Sequence, residues 1–244
     1  MHELFILNLI VFFAAILQAI TGFGFAVIAT PLMLLIMNST EAISISIFLS
    51  LFMSAIMVPP LWHTINWQLF KRLIIGSILG APFGLWLLMA LPIVTIKFFV
   101  AALLVFFVIN VLITKKAVVL AGRLKYICEM ATGLISGILT ASLGMPGAPL
   151  AMYFSKTNAP KEQVRSTALV FYVGIYIVSI IMQGFAGQIA SHSVVAFFYL
   201  LPVAVVGTLC GYRLFCRVNQ RYFSILVNGI MLYTGIYMFW SIYS

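Results

Sequence analysis

Apolar positions in this chain fall into eight long stretches separated by short polar segments, at about 4–37, 42–62, 73–91, 94–114, 126–154, 166–187, 194–216 and 223–243. Each is near or above the ~20 residues a helix needs to cross the hydrocarbon layer of a bilayer. Alternating segments of ~10 residues, the mark of an outer-membrane barrel, are absent. Six stretches have the length of single crossings. The first and fifth are too long, and both are interrupted: Thr21-Gly22-Phe23-Gly24 and then Pro31 in one, Ser142-Leu143-Gly144-Met145-Pro146-Gly147 and then Pro149 in the other. Glycine loosens a helix and proline removes a backbone donor, so a break is predicted at each place.

Composition agrees with the pattern. Of 244 residues 64% are hydrophobic and 7% charged, and the mean hydropathy is +1.22. A soluble domain carries roughly 25% charged residues, so a soluble fold is excluded. Thirteen Lys and Arg against four acidic residues give a net charge of +9. In a soluble protein that excess would suggest nucleic acid. Here the basic residues sit in loops between apolar runs and read as determinants of topology, with no nucleic-acid partner. Cys128, Cys210 and Cys216 lack metal or disulfide spacing. The segment MHELFIL has no basic region of a cleaved signal peptide and reads as the start of the first mature segment.

Loop charge decides what the two breaks mean. With eight simple crossings, six basic residues fall on one side and seven on the other, contrary to the positive-inside rule. If stretches 4–37 and 126–154 are hairpins that return to their own side, every basic residue but Lys97 shares one face, twelve against one. That arrangement obeys the rule. It places both termini of this multi-pass membrane protein outside the cytoplasm.

The chain also reads as a doubled unit. Asn38 follows the first hairpin as Asn158 follows the second; GxxxG recurs at Gly80–Gly84 and Gly207–Gly211; Lys97-Phe98 opens one final crossing and Arg221-Tyr222 the other. A hairpin plus three crossings is an odd number of traversals, so the second half runs inverted, as in many transporters. The expected fold is therefore an all-α polytopic membrane protein of two inverted repeats, each a glycine-broken helical hairpin plus three transmembrane helices. The first repeat is 1–116, a basic cytoplasmic linker is 117–125, and the second repeat is 126–244.

Two hairpins dipping from opposite sides can bring their tips to mid-depth. The second arm of each begins near Phe25 and near Pro146, so two helix N-termini would aim free N–H groups and partial positive charge at one spot. That makes an anion site without a buried lysine. The candidate substrate-binding residues are Gln18, Thr21, Gly22, Phe23, Gly24 and Phe25 from the first hairpin. Ser142, Gly144, Met145, Pro146 and Gly147 come from the second, with Gln183 from a later crossing. The plainer reading is that the glycines permit tight packing and the hydroxyls bond backbone carbonyls.

Other polar groups are few. Glu129 is expected to pair with a Lys or Arg of the adjacent basic loop rather than carry protons, Arg165 to snorkel or guide anions, and His63 to lie at the interface. HExxH, a histidine cluster and paired intramembrane carboxylates are absent from the sequence, which argues against an enzyme. No catalytic residue, metal site or cofactor is assigned.

The segments LQAITGFGFAVIATPL, GLISGILTASLGMPGAPLAMYF and PKEQVRSTAL resemble the two repeats of the sulfite exporter TauE/SafE family, the TSUP permeases. The resemblance covers essentially the whole chain; the second tip, GMPGAP, departs from the longer glycine run of many members. It implies a transporter of the bacterial inner membrane, both termini then periplasmic, that moves small sulfur-containing anions such as sulfite, sulfonates or sulfoacetate. It points to the Gly22-Phe23-Gly24 and Gly144-Met145-Pro146-Gly147 tips, and to Arg165. The expected activity is secondary transport by alternating access, with an anion-selective channel as the alternative. The partners are the small anion and the lipid bilayer, with coupling to H+ and oligomer formation both left open.

Overall fold

A computed structural model describes residues 2–22, 25–113, 122–155, 157, 159–214 and 220–243. Among them are ten α-helices, a single 3-10 turn and no strand. The helices are α1 (His2–Thr21), α2 (Phe25–Met37), α3 (Glu41–Met57), α4 (Trp67–Ala90), α5 (Ile93–Ile113), α6 (Gly122–Leu143), α7 (Gly147–Ser155), α8 (Lys161–Phe185), α9 (Ser191–Leu214) and α10 (Gln220–Tyr243). The predicted linker 117–125 is helical from Gly122 onward; 117–121 lie outside the described residues.

Both long stretches are broken where glycine allows it. Gly22 (φ 74°) ends α1 and Gly144 (φ 70°) ends α6, each in the left-handed region that a side chain disfavours. In the fifth stretch the chain turns back on itself. Ser136 Oγ donates to Pro146 O at 3.2 Å, and Tyr153 OH donates to Glu129 Oε1 at 2.8 Å. An unbroken helix would hold residues 129 and 153 about 36 Å apart. Stretch 126–154 is a hairpin. Across the first break, α1 and α2 pack against each other.

Six described helices are long and apolar enough to cross a membrane: α1, α4, α5, α6, α8 and α9. The chain is a multi-pass membrane protein. Four of these are crossings expected from sequence, but α1 and α6 are first arms of the expected hairpins and each is long enough to cross alone. Conversely α3, expected to fill 42–62, stops at Met57 after 17 residues. Pro59-Pro60 cannot continue its hydrogen bonding, and the chain runs on as the 3-10 turn Pro59–Thr64. Asn66 then caps α4, its side chain accepting from Leu69 N at 3.0 Å.

Glycine sets the closest helix pair. A Cβ added at Gly76, Gly80 or Gly84 of α4 would overlap the backbone of Met130, Leu134 or Ile138 of α6, and one at Gly133 or Gly137 would overlap Leu73 or Ser77. The matches rise together along both helices, so α4 and α6 run parallel with backbones in contact. Similarly, Gly207 of α9 meets Phe12 and Ala15 of α1, and Gly211 meets Ile16 and Ala19; this pair is parallel too. By contrast α5 and α10 are antiparallel, with the Phe98 and Phe239 rings 5.3 Å apart and Gly235 against Ala101 and Leu104. So are α3 and α8: Ser44, near the start of α3, donates to Gln183, near the end of α8, at 3.0 Å. Past α3, Asn66 N donates to Thr167 Oγ1 near the start of α8 at 3.0 Å.

These contacts sort the charges. The starts of α4, α6 and α8 and the end of α9 share one end of the bundle, which holds Lys71, Arg72, Arg123, Lys125, Lys161, Arg165 and Arg213. Lys97 lies at the other end.

Candidate functional site

At the first break α1 closes on itself. Gly22 N donates to Gln18 O at 2.7 Å, and Thr21 Oγ1 donates to Leu17 O at 2.8 Å. Gln18 is buried and donates to Ser54 Oγ of α3 at 2.9 Å. Arg165, only 9% exposed, reaches over from α8 and donates through Nη2 to Ala19 O at 2.6 Å. A cation at the C-terminal turn of α1 sits where the helix dipole is negative. Arg165 is thus a cap for α1, beyond the snorkelling expected of it. Phe23 and Gly24, both sequence candidates, lie outside the described residues. Phe25 is the first residue of α2 and is buried.

The second break has a longer return. Gly144 N donates to Thr140 O at 2.8 Å and Met145 N to Leu139 O at 3.2 Å. Met145 is fully buried. Pro146 is held by Ser136 and directly precedes α7, whose first residue is Gly147. Pro149 falls in the first turn of α7, where a missing N–H costs nothing. Ser142 Oγ donates to Ile138 O at 2.6 Å; it also lines a cavity of about 300 Å³ formed by Leu87, Leu91, Phe99 and Leu143 among others. Gln183 accepts from Ser44 and donates to Ala141 O at 3.5 Å.

The turn glycines themselves do not meet, contrary to the sequence expectation. Gly22 lies against Arg165 and Gly144 against Ile43 and Ile47, on the Gln183 side. Arg165 and Gln183 are roughly 27 Å apart along α8. The reason is the length of α1 and α6, which carry their ends past the middle before the chain doubles back. What does come together is the start of the two second arms. A Cβ on Gly147 would stand 3.5 Å from Val27 Cγ2, in the first turn of α2, and 3.1 Å from Tyr172 OH. Tyr172 is buried and lies about 10 Å along α8 from Arg165 and about 16 Å from Gln183. The first turns of α2 and α7 therefore adjoin well inside the bundle.

Several polar residues near this region were not singled out by sequence. Tyr172 and Tyr176 neighbour each other along α8, ring centroids 6.1 Å apart and planes tilted by 45°. Ser46, Ser50 and Ser54 of α3 are fully buried, and Ser46 Oγ shares a 2.6 Å hydrogen bond with Thr30 Oγ1 of α2. Both sets recur every fourth residue, a spacing that puts them on one helix face. That periodicity was the available signal.

Glu129 sits at the basic end, 1% exposed. Its principal partner is Arg72 of α4, with Nη1 to Oε2 at 2.5 Å, and the expected loop-side cation Lys125 stands at 4.0 Å. Tyr153 of α7 completes the set, and the Arg72 guanidinium lies 5.3 Å from the Tyr126 ring centre. The cluster ties α4, α6 and α7 together near one end of the bundle.

Among known proteins, the sequence model of one family, Sulfite exporter TauE/SafE, matches residues 7–238. No curated protein matches, and no solved structure does. The match spans nearly the whole chain, including both broken hairpins, and the family is one of membrane transporters and not of enzymes. The chain belongs to the sulfite exporter TauE/SafE family.

Proposed function

We propose that this protein is a secondary transporter of small sulfur-containing anions, sulfite, sulfonates or sulfoacetate among them. The anion would be held between the first turns of α2 and α7 and exposed to each side in turn. The observation that carries the reading is the meeting of Val27 and Gly147 beside Tyr172. Two helix starts offer unpaired N–H groups and partial positive charge to an anion. A standing charge at mid-bilayer costs at least ~2.5–3.5 kcal/mol, and backbone dipoles avoid it. Gly147 and Gly22 keep the chain open where a ligand or Arg165 must come close.

Alternating access draws support from the helix pairings. Exchanging α1–α5 for α6–α10 turns the α1–α9 pair into α6–α4 and the α4–α8 pair into α9–α3, and returns α3–α8 and α5–α10 to themselves. The self-paired helices are antiparallel, as members of two inverted repeats would be. Parallel α1–α9 and α4–α6 with antiparallel α3–α8 and α5–α10 also fit a chain in which 4–37 and 126–154 both turn back. An unbroken crossing at either would reverse at least one of those directions. The basic end then faces the cytoplasm and both termini the periplasm of an inner membrane.

The test is uptake into proteoliposomes of sulfite, sulfate, thiosulfate, taurine and sulfoacetate, with and without a pH gradient. A carrier gives flux that saturates and is stimulated by the same anion on the far side, and the pH arm reports any coupling to protons. Flux without saturation contradicts alternating access and favours a channel. Gly147→Leu, which fills the space between α7, Val27 and Tyr172, is expected to abolish the flux.

A further inference from the structure

Lys97 is the one basic residue outside the charge pattern, and its environment is unusual for a lysine. It lies in the second turn of α5, at the end of the bundle opposite the other described cations. Only 8% of it is exposed. It shares the inward face of α5 with Ile96, Val100, Ala101 and Leu104, all buried, whereas Val94, Phe98, Phe99 and Phe106 face outward. A lysine that merely snorkels lies along the lipid face with its head in water. Lys97 does neither. Among the described residues it makes no hydrogen bond and no ion pair. The chain has four acidic residues, Glu3, Glu41, Glu129 and Glu162. Glu3 and Glu41 share its end of the bundle without pairing with it, and Glu129 is engaged by Arg72 at the other.

A cationic side chain packed on the inward face of a membrane helix, with no acidic partner among the described residues, is unfavourable, and membrane proteins keep such groups for ion pathways. The inward face of α5 leads toward the site: α5 packs against α2 and α7, whose first turns adjoin at Val27 and Gly147. We infer that Lys97 is an anion-receiving residue at the mouth opposite the basic end, where the substrate supplies the counter-charge that the described residues do not. This rests on the proposed anion site between α2 and α7. The ligand class is a small oxyanion or sulfonate whose oxygens accept from the ammonium.

The experiment compares wild type, Lys97→Arg, Lys97→Gln and Gly147→Leu in membrane vesicles of both orientations, with the same five anions as probes. Thermal unfolding of each purified variant reports folding. Lys97→Gln is expected to raise the KM at least tenfold when the anion approaches from the Lys97 side. KM from the basic side should change less than twofold, and Lys97→Arg should restore most of the loss. Equal KM values for wild type and Lys97→Gln from both sides overturn the inference, as does an equal rise from both sides. If Lys97→Gln shows the one-sided loss while Gly147→Leu transports normally, the central site falls and the mouth residue stands. If Gly147→Leu abolishes flux and Lys97→Gln changes nothing, the reverse holds. A wild-type protein that moves none of the five anions removes both.

Discussion

The stem of Arg165 lies directly across Gly22: a Cβ added at Gly22 would stand 2.6 Å from Arg165 Cγ, while the guanidinium reaches Ala19 O at 2.6 Å. A helix end, a left-handed glycine and a buried cation are thus one unit. Gly22→Ala strains a φ of 74°, which costs about 1–3 kcal/mol, and also pushes Arg165 off α1. The expected result is a lower unfolding temperature together with reduced transport. Arg165→Lys keeps the charge but loses the planar donors and should lower transport more than stability.

The α4–α6 pair gives the sharpest stability prediction. Gly137→Ala places a methyl group into Ser77 O, and backbone cannot rotate away as a side chain can. Overpacking typically costs about 1–3 kcal/mol and occasionally more, and the upper end is expected here. Gly229→Ala, with nothing within 4 Å of the new methyl, should be neutral or stabilise by up to about 1 kcal/mol through helix propensity. Thermal unfolding in detergent compares the two.

Removing the Arg72 guanidinium should hurt more than removing the Tyr153 hydroxyl. Arg72→Ala leaves the Glu129 carboxylate, 2% exposed, without its principal cation, and an uncompensated buried charge is strongly destabilising. Tyr153→Phe loses one hydrogen bond to a charged group, worth about 1.5–3 kcal/mol. Glu129→Ala removes the charge itself and leaves Arg72, with a side chain 34% exposed, able to turn to water. The expected order of destabilisation is Arg72→Ala, then Tyr153→Phe, and adding Glu129→Ala to Arg72→Ala should recover part of the loss. A double mutant of Glu129 and Tyr153 should be less than additive.

Much of the architecture was legible in the chain. Gly22 and Gly144 mark the breaks because only glycine accepts the turn at little cost, and the long apolar runs announce the helices. How far each arm travels before turning was not legible. Residues 144–146 carry the chain back from Leu143 to the level of Ser136, and no local pattern encodes that return. Nor does sequence reveal that Arg72 would reach Glu129, 57 residues away, since such pairing follows from the glycine contact between α4 and α6. Tyr172 was missed because a tyrosine in an apolar helix looks like any other large core residue. The Pro59-Pro60 stop of α3 was readable, and an expectation based on hydropathy alone ran past it.

The central claim is that the anion sits where the starts of α2 and α7 adjoin. It is tested most directly by substrate protection of Gly147→Cys in a background with Cys128, Cys210 and Cys216 replaced by serine. The rate of modification by a small methanethiosulfonate reagent is measured with and without the best transported anion. The expected result is modification slowed at least fivefold, half-maximal near the transport KM. An unchanged rate at saturating anion, in a variant that still transports, would contradict the site.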